Sequence, residues 1–129
     1  MKLMAIDYGS KRVGIASTDD SGRFAIPRAV WPNDPRLLDK ILKFKEDEGI
    51  TKIVIGESKN LKGKANPIQK EIEKLKNELE KRGTETVYQT EVFTTMEARR
   101  TQGQTEMTDA SAAALILKSF LDSVYNKGL

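Results

Sequence analysis

The amino-acid sequence predicts an α/β fold, with a five-stranded mixed sheet flanked by helices, in a single domain over residues 1–129. Two observations carry this prediction. The first quarter of the chain alternates short apolar runs with turn residues, which is typical of strands joined by tight turns. The rest alternates helical apolar stripes with short apolar runs, which is typical of parallel strands joined by crossover helices.

Three strands are predicted at the start of the chain, over Leu3–Asp7, Arg12–Thr18 and Phe24–Trp31. Residues 8–11 and 19–22 supply the turns between them. The third strand contains Pro27, which has no backbone N–H to donate to a sheet. We therefore expect this strand at the edge of the sheet.

Helices and strands then alternate. The local signals are N-cap residues followed by proline at helix starts and glycine at helix ends. The predicted elements are a helix from Asp34-Pro35 to Gly49, a strand over Ile53–Ile55, a helix from Asn66-Pro67 to Gly83, a strand over Thr86–Gln89, a short helix capped by Thr94 and Glu97, a loop around Gly103 and a last helix from about Thr108. The apolar stripe of the last helix predicts that it buries Ala113, Ile116, Leu117, Phe120 and Val124. This order resembles the topology of the ribonuclease H-like fold, although local patterns also allow another five-stranded α/β arrangement.

The composition narrows the possible chemistry. The chain has no cysteine and no histidine, which excludes disulfides, thiolate or imidazole metal sites and a histidine general base. A net charge of +3 mildly favours an anionic partner. The sequence lacks an apolar run of the roughly 20 residues that a membrane span needs. The apolar stretch at its start is too short for a signal peptide. We therefore expect a cytoplasmic protein without a membrane partner.

Four acids are candidates for a functional site. Asp7 directly follows a hydrophobic strand, at the sheet rim where α/β proteins gather their sites. Glu57 follows the fourth strand and Glu91 the fifth, so parallel strands would bring all three to one edge. Asp109 lies in the first turn of the last helix. Each also has a structural alternative: Asp7 suits a turn, and Asp109 suits the helix dipole.

Convergence of these acids would indicate a metal site. Carboxylates placed together repel one another unless a cation neutralises them. Oxygen ligands without histidine or cysteine favour Mg²⁺ or Mn²⁺ over zinc. We therefore expect Asp7, Glu57, Glu91 and Asp109 as metal ligands. Two such ions can clamp the attacking water and the leaving oxygen of a phosphodiester, so hydrolysis would need no imidazole base.

Cationic side chains flank these acids along the sequence and could contact backbone phosphates of a nucleic acid. Any one of them could equally be an ordinary surface cation. The candidates are Lys11, Arg12, Lys59, Lys62, Lys64, Arg99 and Arg100.

Three segments resemble motifs of one known family. They are residues 6–16 (IDYGSKRVGIA), 90–98 (TEVFTTMEA) and 109–117 (DASAAALIL). The chain resembles the YqgF-type (RuvX) family of pre-16S rRNA nucleases and Holliday-junction-resolvase-like proteins, nearly end to end. This resemblance implies a ribonuclease H-like fold and a metal-dependent phosphodiester hydrolase that acts on structured nucleic acid, by processing the 5′ end of pre-16S rRNA, resolving Holliday junctions, or both. It also implies Asp7, Glu91 and Asp109 as the catalytic acids.

The chain departs from the family pattern at two places. It has Thr90-Glu91-Val92 where the family usually has Asp-Glu-Arg, so a second acid and an arginine are missing. It has Gly56-Glu57-Ser58 where the family usually has Gly-Leu-Pro. Related junction resolvases carry a glutamate near that strand end, which makes Glu57 a candidate for an additional metal ligand.

Two other functions remain open at this point. A non-catalytic module that binds RNA or DNA would have the same fold and charge. An actin-like phosphotransferase would share the acid and turn after the first strand, but it needs two such domains around its nucleotide. The sequence is equally compatible with a monomer and a homodimer.

Overall fold

The computed structural model of the protein describes residues 2–57, 67–90 and 106–126. They form five strands and three helices. In chain order these are β1 (Leu3–Tyr8), β2 (Arg12–Thr18), β3 (Ala25–Pro32), α1 (Leu37–Glu48), β4 (Lys52–Glu57), α2 (Pro67–Lys81), β5 (Glu85–Thr90) and α3 (Glu106–Asn126). Asn66, the short helix predicted at Thr94–Glu97 and the loop predicted around Gly103 lie outside the described residues.

The five strands form one mixed sheet in the order β3-β2-β1-β4-β5. The first three strands pair antiparallel as a meander, whereas β4 pairs parallel with β1 and β5 pairs parallel with β4. This arrangement confirms the predicted mixed sheet. The parallel half follows from the helical crossovers, because a strand can return in the same direction only through a long connection.

Both faces of the sheet are covered by helices, and side-chain alternation along β1 divides the core in two. Met4 and Ile6 belong to the cluster that packs with α1 and α2. Leu3 and Ala5 belong to the cluster that packs with α3. β1 is therefore buried on both faces, and it has a hydrogen-bonded strand on each side.

Glycine ends α1 where the sequence predicts it. Gly49 adopts the left-handed conformation (φ 68°), and the following N–H, of Ile50, donates to the carbonyl of Lys45 over 2.9 Å. Gly83 (φ 79°) follows α2 in the same way. Glycine adopts this conformation without a steric penalty, so it suits the C′ position of a helix.

Three sequence-based expectations need correction. Helix α1 begins at Leu37 with Arg36 as its N-cap, because the Asp34 carboxylate accepts the N–H of Arg36 (2.9 Å) and holds a separate turn before the helix. Strand β3 begins at Ala25, which leaves Phe24 67% exposed. Val124, expected in the core, is 40% exposed, because the buried side of α3 ends at Leu121 and residues 122–124 are exposed.

The edge position of β3 is confirmed, and the strand contains a β-bulge. Ala29 pairs with Ile15 while Pro27 pairs with Ala16, so Arg28 has no partner residue across the pair. Its guanidinium donates to Ser17 Oγ (2.9 Å) and to Glu48 Oε1 (2.8 Å). It also lies 5.2 Å from the centre of the Phe44 ring. Arg28 thereby fastens the edge strand to the end of α1.

None of the helices described is both long enough and apolar enough to cross a membrane.

The Arg28–Glu48 contact generates a pH-dependent prediction. The hydrogen bond from Arg28 holds the pKa of the Glu48 carboxyl below its ordinary value of 4.5. A carboxyl whose pKa is lowered by folding stabilises the protein above pH 4.5, and this stabilisation disappears as the pH falls through the folded-state pKa. Glu48→Gln should therefore lower the melting temperature at pH 7, and the difference from wild type should narrow below about pH 4.5.

Glu46→Gln is the matched control, because Glu46 is exposed on the same helix and has no such contact with Arg28. Thermal melts of both variants between pH 3 and 7 test the prediction. A Glu48→Gln difference that stays constant over this range would contradict it.

Candidate active site

Asp7 is a buried carboxylate near the carboxyl end of the central strand. Its side chain is only 3% exposed. Because residues alternate along a strand, Asp7 lies on the same face of β1 as Leu3 and Ala5, which is the face that α3 covers. A buried carboxylate is costly unless it is hydrogen-bonded or paired, and Asp7 does have an interaction partner. The fold therefore fixes this carboxylate in place.

Glycines flank Asp7 on both neighbouring strands. Gly14 of β2 lies directly opposite Asp7 in the antiparallel pair. On the other side, the β1–β4 register has a constant offset in which Ile6 pairs with Ile55, so the next position places Gly56 beside Asp7. Both glycines are buried. The sheet consequently presents no neighbouring side chain on either side of this carboxylate.

The other predicted acids follow from the strand ends. Glu57 is the last residue of β4 and pairs with Thr90, the last residue of β5. Because β1, β4 and β5 are parallel, the backbones of Asp7 and Glu57 reach the same sheet edge. Glu91 comes directly after Thr90 but lies outside the described residues.

Asp109 lies in the first turn of α3. Its helix position precedes Ala113 by four residues, and Ala113 belongs to the buried cluster on the Asp7 face. Near the other end of α3, the Phe120 ring lies 5.7 Å from Lys52 Nζ, and Lys52 begins β4. In the same half of α3, Ser119 Oγ accepts from Gln89 Nε2 over 3.0 Å, and Gln89 lies near the carboxyl end of β5. The second half of α3 therefore crosses β4 and β5.

The turn between β1 and β2 brings two predicted cations to this edge. Lys11 and Arg12 are both exposed and lie only a few residues beyond Asp7. Their turn is held by Asn33, whose side-chain amide donates to the Gly9 carbonyl (2.8 Å) and whose N–H donates to the Lys11 carbonyl (2.9 Å). The other predicted cations, Lys59, Lys62, Lys64, Arg99 and Arg100, lie outside the described residues.

The sequence matches a known protein family over nearly its whole length. The family described as "RuvX: Holliday junction resolvase" matches residues 1–123. The chain belongs to the RuvX family. The predicted family resemblance is therefore confirmed.

Relatives and solved structures agree with this assignment. Proteins named "Putative pre-16S rRNA nuclease" include one from Sulfurihydrogenibium sp., 33% identical over 94% of this chain and 90% of its own length. Another, from Clostridium tetani, is 32% identical over 98% of this chain and 100% of its own length. The structure of Thermus thermophilus RuvC matches with a TM-score of 0.60 at 12% identity, covering 98% of this chain and 97% of RuvC. The fowlpox virus Holliday junction resolvase matches with a TM-score of 0.59 at 13% identity, covering 96% of this chain and 99% of the resolvase. The predicted ribonuclease H-like fold is confirmed.

Of the four metal ligands predicted for this RuvX chain, Asp7 is the one whose side chain the structure describes. Among residues 2–57, 67–90 and 106–126, the described side chains form no group of three or more acids that could hold a metal ion. The side chains of Glu57, Glu91 and Asp109 are not among those described. Asp7, a buried oxygen donor between two glycines, fits a hard divalent cation.

Sequence reasoning missed Asn33 and the role of Gly14 at this RuvX site. Asn33 precedes Asp34-Pro35 and resembles an ordinary loop residue, because its bond to Gly9 spans 24 positions. In the sequence, Gly14 is a glycine inside the second predicted strand, which indicates only a turn or a close approach of the backbone. Its place opposite Asp7 depends on the pairing register, which the turn sets.

Gly9 gives a test of how tightly this turn is built. A Cβ added at Gly9 would lie 2.5 Å from the Arg12 carbonyl oxygen, closer than two such atoms can approach. Gly9→Ala should therefore lower the free energy of unfolding by about 1–3 kcal/mol, the range for overpacking. Urea denaturation measures this. Ser10→Ala, exposed in the same turn, should change stability by less than about 0.5 kcal/mol. Equal effects of the two substitutions would contradict the prediction.

Proposed function

We propose that this RuvX-family chain is a divalent-metal-dependent nuclease that hydrolyses phosphodiester bonds in structured nucleic acid, with Asp7, Glu91 and Asp109 as its catalytic acids. The single observation that carries the proposal is the buried Asp7 carboxylate at the carboxyl end of the central strand. The family description and the relatives' names are those of nucleases, which supports a phosphodiester-hydrolysing enzyme.

Asp7, Glu57, Glu91 and Asp109 would hold the ions, as Mg²⁺ or Mn²⁺. Bound divalent ions would lower the pKa of a coordinated water and stabilise the charge on the leaving oxygen. The chain's own contribution is positional. Pairing with β2 and β4 fixes Asp7, and Gly14 leaves the sheet open beside its carboxylate. Since the chain has no histidine, no imidazole takes part in proton transfer.

The substrate would be held by its phosphates. Lys11 and Arg12, exposed at the edge that carries Asp7, are placed to contact the backbone on one side of the cut. Arginine and lysine fix the position of a nucleic acid through such contacts without reading its sequence. We assign the same role to Lys59, Lys62, Lys64, Arg99 and Arg100.

Precursor 16S rRNA is the substrate we propose first, because full-length relatives carry that name. Holliday junction DNA is the second candidate, since the family description names junction resolution. Both substrates fit a cytoplasmic enzyme. A panel of precursor rRNA, four-way junctions and linear strands, each with Mg²⁺ or Mn²⁺, distinguishes the two.

Asp7→Asn tests the mechanism. The substitution keeps the side chain's size but removes the charge that would bind the cation. We expect loss of cleavage with retained nucleic-acid binding, because the phosphates are held by lysine and arginine. The melting temperature of the metal-free protein should hold or rise, as one charge of a repelling cluster is removed. Cleavage rate, binding affinity and melting temperature are measured on the same preparations.

Asp20→Asn is the matched control, because Asp20 is an exposed aspartate in the turn at the opposite end of the sheet. It should cleave at the wild-type rate. Cleavage that persists in chelator, or full activity in Asp7→Asn, would exclude a metal nuclease built on Asp7. An unfolded Asp7→Asn would make Asp7 a structural turn residue.

Lys11→Gln tests the phosphate contact. Each phosphate that a protein neutralises releases counterions, so binding weakens as salt rises. Losing one contact should reduce the slope of log K against log salt by about 1. Binding is measured without divalent metal at several salt concentrations. Lys43→Gln, on the exposed side of α1, should leave the slope unchanged. An unaltered slope in Lys11→Gln would place the substrate elsewhere.

A further inference from the structure

A cavity lies beside the proposed active-site edge, between the end of β1, the loop before α1 and the middle of α2. Its volume is about 330 Å³, within the range of small-molecule sites in proteins. The lining residues that matter here are Tyr8, Asp34, Leu38, Glu71, Lys74 and Leu75. None of them has a part in the proposed hydrolysis, so this space is available for a ligand group.

The floor of the cavity is apolar and its rim is polar. Leu38, Leu75 and the Tyr8 ring belong to the core on the α1 and α2 face. The rim carries the carboxylates of Asp34 and Glu71 and the ammonium of Lys74. Neither Glu71 nor Lys74 forms an ion pair with another residue in the described part of the chain.

A second glutamate on the rim is already neutralised. Glu78 accepts from Arg82 over 2.7 Å, and this hydrogen bond lowers the pKa of its carboxyl. The rim charges that remain are therefore two carboxylates and one ammonium.

This mixture favours a flat, neutral group with both hydrogen-bond donors and acceptors. A phosphate would be repelled by the two carboxylates, and a polyamine would meet Lys74 and an apolar floor. A nucleobase satisfies every part of the lining, because its faces stack on aromatic and aliphatic side chains while its edge donates to carboxylates. Exocyclic amino groups make adenine, cytosine and guanine better donors than uracil.

The position of the cavity ties it to the substrate. Tyr8 directly follows Asp7, and Asp34 follows β3, which ends at the same sheet edge. Alternation along β1 places Tyr8 on the opposite face from Asp7. A strand cut at Asp7 can therefore pass around the edge and direct a neighbouring base into the cavity.

We infer that the cavity binds one unstacked, amino-bearing base of the nucleic-acid substrate, held over Leu38 and Leu75 with its amino group donating to Glu71. The inference rests on the proposed function for the identity of the strand. It implies a preference for substrates with an unpaired base near the cut, since such a base costs little to unstack.

The test uses the four nucleoside monophosphates AMP, CMP, GMP and UMP as probes, with the intact protein and without divalent metal. Methyl NMR signals of Leu38 and Leu75 report occupancy of the cavity. We expect these signals to shift with AMP, CMP and GMP at lower concentrations than with UMP. Absent shifts, or equal shifts with all four, would overturn the inference.

Glu71→Gln should weaken binding of AMP, CMP and GMP by about tenfold, the loss expected for one hydrogen bond to a charged group. The variant's preference for amino-bearing nucleotides over UMP should also be smaller than that of the wild type. Glu73→Gln, exposed on the same helix but outside the cavity, should bind as wild type. Equal effects of both substitutions would mean that the base does not contact Glu71.

Two further arms identify the source of the ligand. A single-stranded trinucleotide should bind more tightly than its mononucleotides, and the reverse order would mean a free-nucleotide site. Spermidine should not displace the Leu38 signal, and displacement by spermidine but not by nucleotides would mean a cation site. Because Asp7→Asn should bind these probes normally, failure of base binding and failure of the nuclease proposal are separate outcomes.

Discussion

The structure depends on the burial of β1 in the middle of the sheet. This strand is hydrogen-bonded on both sides and covered on both faces. The position of its backbone and the face to which each side chain points are therefore fixed. Asp7 and Tyr8 end it on opposite faces as a direct consequence. One face then presents a fixed carboxylate, and the other presents a ring to a cavity. The candidate active site and the candidate base site are therefore two results of a single strand ending.

The rigid turn between β1 and β2 fixes the sheet edge that carries Asp7 and Tyr8. Gly9 approaches the Arg12 carbonyl more closely than any side chain permits. Asn33, which directly follows β3, donates hydrogen bonds to the carbonyl groups of Gly9 and Lys11. Three strands thus meet in one small hydrogen-bonded unit at the edge where catalysis is proposed. An exposed lysine on such a rigid turn can meet a phosphate with little loss of backbone entropy.

Sequence reasoning succeeded where the cause is local and failed where it is tertiary. Gly49 and Pro27 were interpreted correctly because a left-handed conformation and a missing N–H act within a few residues. The expected start of α1 was wrong because Asp34 caps a turn instead of the helix. Val124 was misplaced because helical periodicity alone cannot show where a helix passes beyond its sheet. For the site, Asp7 was evident from its strand, but its glycine neighbour Gly14 required the pairing register.

The bulge at Arg28 has a consequence for association between molecules. An edge strand offers free backbone groups that can pair with a strand from another chain and so start aggregation. In β3, proline removes one donor, and the bulge breaks the spacing that a docking strand would need. Arg28 adds a charge that is already committed to Glu48, so an incoming strand would have to displace it. These features disfavour strand addition at this edge of the sheet, which opposes polymerisation through β3.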